Sequence, residues 1–168
     1  MSSAAFYATE KITSVRQSLA LLGYRNLQKW VTLLLFAGEG GDSRLSPLLE
    51  RAALRGRIME LLAKKITNDP VIADSAFMTG ALSMIDSLLE MSITNILSEF
   101  NLSQDINNAL INREGFLGKL IIIIELLEQE RFNLIHEMLS EYAVTLEDLF
   151  SMEINAIVEF EATGTNVM

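Results

Sequence analysis

Apolar side chains recur every three or four residues along most of the chain, and this spacing predicts helices. Alternating patterns typical of strands are scarce. The predicted helices lie at about 14–22, 26–37, 46–66, 70–90, 93–100, 104–112, 116–129, 132–142 and 145–160. The fold class that follows is all-α, a multi-helix bundle of roughly eight to nine helices.

Residues that cap or interrupt helices support several of these boundaries. Ser46-Pro47 opens the third predicted helix, and Asn68-Asp69-Pro70 is a turn before the fourth. Ser103 is a predicted N-cap. Thr145-Leu146-Glu147-Asp148 resembles a capping box in which Asp replaces the usual Glu or Gln.

Two helices stand out in the predicted core. The helix over 116–129 is apolar nearly all round, which is typical of a central core helix. The helix over 70–90 carries Gly80 in its middle, where we expect it to permit close packing of another helix. The stripe predicted to be buried on that helix is Phe77, Ala81, Met84, Ile85 and Leu88. The residues predicted to be buried in two later helices are Ile106, Leu110, Ile111, Leu149, Ile154, Ile157 and Val158.

The length of 168 residues predicts one domain over 1–162, followed by a flexible tail over 163–168. No cysteine is present, which excludes disulfides and fits a cytoplasmic location. The longest apolar runs are well short of the ~20 residues that a membrane span needs. The N-terminus has no basic start before an apolar core, so no signal peptide and no membrane association are predicted.

Charge is unevenly distributed along the chain. The net charge is −9, with 10 basic and 7 acidic residues over 1–85 but 3 basic and 15 acidic residues over 86–168. The acidic half would repel a phosphate backbone, so nucleic-acid binding is not predicted. It is either a solvated surface or a face that docks a basic partner or a neighbouring domain.

The residues do not assemble into a recognisable catalytic set. His136 is the sole histidine, and neither a nucleophile elbow nor a calcium loop is present. Glu125 and Glu128, three residues apart, are expected to share a helix face. We therefore predict no catalytic, cofactor-binding or metal-binding residues, and no cofactor.

Several segments in order resemble the HDOD domain, a catalytically degenerate relative of HD-type phosphohydrolases. The segments that carry the resemblance are Ser3-Ala4-Ala5-Phe6-Tyr7, Ile12-Thr13-Ser14-Val15, Ala20-Leu21-Leu22-Gly23, Leu27-Gln28-Lys29-Trp30, Arg51-Ala52, Phe77, Gly80-Ala81-Leu82-Ser83-Met84-Ile85 and Ala109-Leu110 near Gly115. The version that follows an EAL domain in bacterial signalling proteins is the most similar. The resemblance implies an HD-domain-like bundle, and a chain that lacks its first helices and an upstream EAL domain.

The resemblance also bears on catalysis. Where HD enzymes read roughly G-L-L-H-D-I-G, this chain has Ser83 and Met84 in place of the His-Asp pair, and an earlier family histidine falls at Arg51. A hydroxyl, a thioether and a guanidinium cannot hold a divalent cation. The chain is therefore predicted not to be an enzyme.

The function implied by the resemblance is a regulatory, protein-interaction domain linked to cyclic di-GMP signalling through an EAL domain. Its partner would be another protein or its own upstream domain, with a homodimer as a further option. One alternative is a residual metal-dependent phosphohydrolase that uses carboxylates and His136. Another is a small-molecule sensor with an apolar pocket lined by Phe77, Met78, Met84 and Met91.

Overall fold

The computed structural model of the chain describes residues 47–89, 92–98 and 102–164. Those residues form helices and connecting turns, with no strand among them, which confirms the all-α class. The helices are α1 (Pro47–Thr67), α2 (Pro70–Leu82), α3 (Ile85–Leu89), α4 (Ile93–Ser98), α5 (Gln104–Asn112), α6 (Gly115–Glu128), α7 (Phe132–Ser140) and α8 (Leu146–Gly164). Six of these eight have nine or more residues.

Among the described residues, six helices have nine or more residues, which is fewer than the roughly eight to nine helices predicted for the whole chain. The predicted helices at 14–22 and 26–37 lie outside the described residues, as do the segments up to Trp30 that carry the family resemblance. At the other end, α8 continues to Gly164 and so includes the first two residues of the predicted tail. The single domain over 1–162 stays a prediction.

Helix α6 forms the centre of the described bundle, as its sequence predicts. It contacts α1, α2, α5 and α7. Most of its side chains are apolar. Seven of its residues are buried: Leu117, Gly118, Leu120, Ile121, Ile123, Ile124 and Leu127. Burial on several faces of one helix is possible because neighbouring helices cover it on more than one side.

Helices α1 and α2 approach each other at two glycines. A Cβ atom placed on Gly80 would lie 2.8 Å from the carbonyl oxygen of Arg55 and 2.8 Å from the Cα of Gly56. A Cβ on Gly56 would lie 2.9 Å from the carbonyl oxygen of Phe77. Real Cβ atoms do not tolerate such distances to backbone, so both positions require glycine. The predicted role of Gly80 in close helix packing is confirmed.

The N-cap predicted at Ser103 and the capping box predicted at Thr145 are present, whereas Ser46 lies outside the described residues. Asp69, predicted only as part of a turn, also caps α2. Asp69 accepts a hydrogen bond from the Val71 amide at 2.8 Å, and Ser103 accepts one from the Ile106 amide at 3.4 Å. Thr145 and Asp148 form the reciprocal box: each backbone amide donates to the other's side chain, at 3.0 and 3.1 Å. These bonds satisfy amides that have no partner within the helix.

The prediction of one helix over 70–90 is wrong. Helix α2 ends at Leu82, Ser83 and Met84 form a turn, and α3 begins at Ile85. The Ser83 hydroxyl donates to the Gly80 carbonyl at 2.7 Å, and the Ser83 amide donates to the same oxygen at 3.2 Å. A serine that bonds the preceding turn in this way competes with the regular helical bond and favours a helix end.

Some apolar residues predicted to be buried are exposed: Ile111, Ile154, Ile157 and Val158. In α8 the apolar residues lie on two faces. A helix that packs on one side of a bundle buries only one of these faces. The face that contacts the bundle carries Leu149 and the small residue Ala156, both fully buried. Periodicity alone did not distinguish this face from the other.

We expect Gly80→Ala to lower the free energy of unfolding by about 1–3 kcal/mol, because the new methyl group must push the backbones of α1 and α2 apart. Urea denaturation followed by circular dichroism measures this. Asn155→Ala, at an exposed position of α8, is the control and should stay within about 0.5 kcal/mol of the parent. If Gly80→Ala instead gained the ~1 kcal/mol expected from helix propensity, the close approach would be refuted.

Candidate functional site

The turn at Ser83-Met84 is the candidate site, because the family resemblance places a metal-binding His-Asp pair there. Met84 is buried, and Ser83 is half-buried. The Ser83 hydroxyl donates to the Gly80 carbonyl and accepts a hydrogen bond from Nη1 of Arg55 at 3.0 Å. The serine hydroxyl is thus engaged on both sides by protein groups.

Arg55 reaches this turn from α1. Its Nε donates to Oε1 of Glu128 at 2.8 Å, and its Nη2 donates to Oε2 of the same carboxylate at 2.6 Å. Glu128 is the last residue of α6, so one guanidinium joins α1, the end of α2 and the end of α6. The Arg55 and Glu128 side chains are only 12% and 26% exposed, and the geometry is the bidentate one that makes such pairs strong.

The helix crossing accounts for the position of Arg55. Gly56, the next residue, lies against Gly80, and the Arg55 carbonyl itself faces that glycine. Ser83 lies three residues beyond Gly80, nearly one helical turn along α2. The close approach of the two backbones therefore brings the guanidinium within hydrogen-bonding distance of the Ser83 hydroxyl.

Acidic side chains surround this guanidinium. The pKa of Arg55 is raised, chiefly by its hydrogen bond to Glu128, with burial acting in the opposite direction. The charges of Glu128, Glu125 and Asp86 raise it further. Arg55 is therefore a cation at neutral pH.

Glu153, on α8, experiences the same acidic surroundings. Burial raises the pKa of its carboxyl, and the charge of Glu128 raises it further. Glu125, in contrast, forms an ion pair with Arg113, whose Nη2 donates a hydrogen bond to it at 2.9 Å. The acidic side chains near Arg55 thus differ in how well their charge is compensated.

The residues at this turn do not fit a divalent metal ion. A serine hydroxyl already engaged twice, a thioether and a guanidinium are not the oxygen, nitrogen or thiolate donors that such ions take. In the part of the chain that the structure describes, no group of three or more His, Asp or Glu side chains could hold a metal ion.

Residues singled out in the sequence are placed differently by the fold. Arg51, expected to stand at a family histidine position, is exposed, and Arg55, one turn later, holds the site instead. Glu125 and Glu128 act on Arg55 from the same helix, in line with the predicted shared face. His136 is exposed on α7. The spacing of four puts Arg51 and Arg55 on one face of α1, so the sequence offered both as candidates without distinguishing them.

A cleft of about 390 Å³ lies between α2, α5 and α6. Its lining residues are Ile72, Ser75, Ser103, Asp105, Asn108, Glu114, Gly115, Phe116 and Leu117. Phe77, Met78 and Met84, which the sensor alternative expects to line a pocket, do not line this cleft. Met91 lies outside the described residues.

Two curated proteins are similar to this chain. The cyclic di-GMP phosphodiesterase CdgJ of Vibrio cholerae is 30% identical over 138 residues, which are 82% of this chain and 32% of CdgJ. The uncharacterized protein YuxH of Bacillus subtilis is 28% identical over 132 residues, 77% of this chain and 32% of YuxH. The chain spans about a third of the length of these relatives.

No family model matches the chain, and no solved structure matches it. The similarity to CdgJ is consistent with the resemblance to an HDOD-type cyclic di-GMP protein. Among the described helices, none combines the length and the apolar character needed to cross a membrane.

A double-mutant cycle should reveal strong coupling between Arg55 and Glu128. With Arg55→Met, Glu128→Gln and the double variant, we expect a coupling free energy of about 1–3 kcal/mol in urea denaturation, because the pair is partly buried and bidentate. The pair Lys119 and Glu141, with side chains 48% and 58% exposed, is the control and should couple far more weakly. Equal coupling in both pairs would contradict a structural role for Arg55.

Glu153→Gln should stabilise the protein at neutral pH. The raised pKa means that the folded state binds a proton more tightly than the unfolded state, so ionisation of Glu153 lowers stability as the pH rises above its ordinary value of 4.5. The gain from the substitution should therefore be full at neutral pH and disappear in acid. Denaturation at several pH values measures it, and Glu137→Gln, exposed on α7, is the control. A gain that is independent of pH would refute this assignment.

Proposed function

We propose that this chain is a non-catalytic regulatory and protein-interaction domain in bacterial cyclic di-GMP signalling. In this proposal it is an HDOD-like domain of the kind that follows an EAL domain. The observation that supports it best is the Arg55 guanidinium, hydrogen-bonded to Ser83 and Glu128 at the position where HD enzymes carry their His-Asp pair.

The chemistry of that position favours a scaffold over a hydrolase. A fixed positive charge opposes the binding of a divalent cation, and arginine does not lose its proton within proteins. The hydrogen bonds of Arg55 are directed at two other helices, which gives the guanidinium a structural use. In this proposal, the position at which HD enzymes hold a cation carries a side-chain cation instead.

The cyclic di-GMP context is supported by the similarity to CdgJ, which is named as a phosphodiesterase of that nucleotide. Because the chain matches only about a third of CdgJ, we assign any hydrolysis to a region that this chain does not contain. The role left for the chain is to bind a protein partner or its own upstream domain. A cytoplasmic location and a homodimer remain predictions.

The chain by itself should neither retain metal nor hydrolyse cyclic di-GMP. Protein purified without chelator would be analysed for manganese, iron, zinc and magnesium, and then assayed with each added, beside an active phosphodiesterase. We expect substoichiometric metal and no turnover, because Ser83, Met84 and Arg55 supply no metal-binding donors. Stoichiometric metal together with turnover would overturn the proposal in favour of the residual phosphohydrolase.

The regulatory role has its own test in a protein that carries this domain after an EAL domain. Removal of residues 47–164 should change the rate of cyclic di-GMP hydrolysis, the assembly state by light scattering or the binding of a partner. If none of the three changed, the regulatory role would be refuted. A small molecule retained through purification and detected by native mass spectrometry would favour the sensor alternative instead.

A further inference from the structure

Helix α8 carries a row of exposed apolar side chains on one face. Phe150, Ile154 and Val158 follow at spacings of four, and Ile157 lies beside them. Phe132 of α7 widens the row at one end, since its ring meets that of Phe150 edge to face with centroids 5.6 Å apart. We call these five residues the α8 face.

The α8 face is separate from the side of the helix that packs into the bundle. That side carries Leu149 and Ala156, which are fully buried. The α8 face instead holds five of the nine large apolar side chains that are exposed among the described residues. Single exposed apolar residues are ordinary on a protein surface, whereas a cluster on a rigid helix is typical of a binding surface.

The exposed area of the α8 face is close to what a stable interface needs. Ile154 keeps 60% of its surface exposed and Val158 keeps 57%, while the other three residues keep 36–39%. These fractions leave on the order of 400 Å² of apolar surface open to solvent. A standard interface buries about 800 Å² on each partner, a little over half of it apolar. The α8 face therefore supplies most of the apolar area that one such interface requires.

The row is arranged symmetrically about Ile154. A two-fold interface brings the same surface together twice, so it needs a patch that matches itself. When two α8 helices cross antiparallel at Ile154, each Phe150 lies against the partner's Val158, and the largest side chain of the row meets the smallest. A parallel pair would crowd the Phe150 and Phe132 rings of both copies at one end and would align the helix dipoles unfavourably.

Charge does not oppose this arrangement. Asp148 and Glu159 form ion pairs with basic side chains of α1 in the same chain. Glu147 and Glu161 are exposed, and in the antiparallel pair they lie about 10 Å from the crossing point, at the outer ends of the contact. Water and salt screen like charges at such a rim, so the apolar contact decides the association.

We propose that the α8 face binds the same face of a second copy of the chain, in an antiparallel two-fold contact centred on Ile154. This inference rests on the proposed interaction role of the domain and names the surface and the partner. Ile154, the most exposed of the five residues, is buried at the centre of the contact, with Phe150 and Val158 on either side. The domain then acts by pairing two copies of the protein that carries it.

The first test measures the mass of the whole chain by analytical ultracentrifugation over a range of concentrations. We expect a dimer, and we expect Ile154→Asn to raise its dissociation constant about a hundredfold, because the aliphatic contact is lost from both copies. Val71→Asn, at a residue that is 70% exposed on α2, is the control and should leave the dimer unchanged. Circular dichroism verifies that both variants are folded.

Cysteine cross-linking tests the geometry, because the chain has no cysteine of its own. Ile154→Cys should form a disulfide between two copies under mild oxidation, since the two side chains meet at the two-fold axis. Val158→Cys is the matched control, because Val158 lies on the same face with almost the same exposure. In the antiparallel pair its two copies are about 12 Å apart along the helices, beyond the reach of a disulfide.

Three outcomes would overturn the inference. A chain that stays monomeric at about 100 μM would exclude the dimer, since interfaces of this area hold together at micromolar concentrations or below. Equal weakening of a dimer by Ile154→Asn and Val71→Asn would place the contact on another surface. Disulfide formation by Val158→Cys to the same extent as by Ile154→Cys would exclude the antiparallel crossing.

The inference and the proposed function fail in different ways. A monomeric chain would refute the dimer and leave the absence of catalysis untouched. Turnover of cyclic di-GMP by the chain, in contrast, would refute the proposed function whatever its mass in solution.

Discussion

The contact between the backbones of α1 and α2 at Gly56 and Gly80 is the constraint on which the candidate site depends. Two helices normally keep their axes apart by the width of their side chains. Glycine on both sides removes that spacer, so the Arg55 carbonyl lies against Gly80. The hydrogen bond between Arg55 and Ser83 depends on this contact, because a wider separation of α1 and α2 would take the guanidinium out of reach of the Ser83 hydroxyl.

The guanidinium turns that local contact into a connection among three helices. Arg55 starts on α1, reaches the end of α2 through Ser83 and the end of α6 through Glu128. A partly buried ion pair adds little net stability over an apolar contact, but it is strongly directional. Its contribution is therefore to fix where these helix ends lie relative to one another. That is what a domain needs if it presents surfaces to partners.

The sequence was sufficient for the features that depend on local chemistry. The all-α class, the central helix α6, the cap at Ser103, the capping box at Thr145 and the close packing at Gly80 were all predicted. Each follows from periodicity or from residues close together in the chain. The break at Ser83 was missed because serine tolerates both a helix interior and a helix end.

The candidate site could be predicted only in part, because it joins residues far apart in the chain. The resemblance located Ser83 and Met84 but assigned the positive charge to Arg51, where the fold uses Arg55. Both arginines lie on one face of α1, and only the position of the crossing at Gly56 decides which of them reaches α2. The pairing with Glu128, 73 residues away, has no local signature at all.

In α8, too, the sequence does not decide which apolar face packs into the bundle. A repeating pattern of apolar residues shows that a helix has something to bury but not against what. The bundle takes the face with Leu149 and Ala156, where a small side chain allows close approach, and the row through Ile154 stays exposed. The apolar pattern of one helix is therefore divided between a face that packs into the bundle and a face that stays exposed.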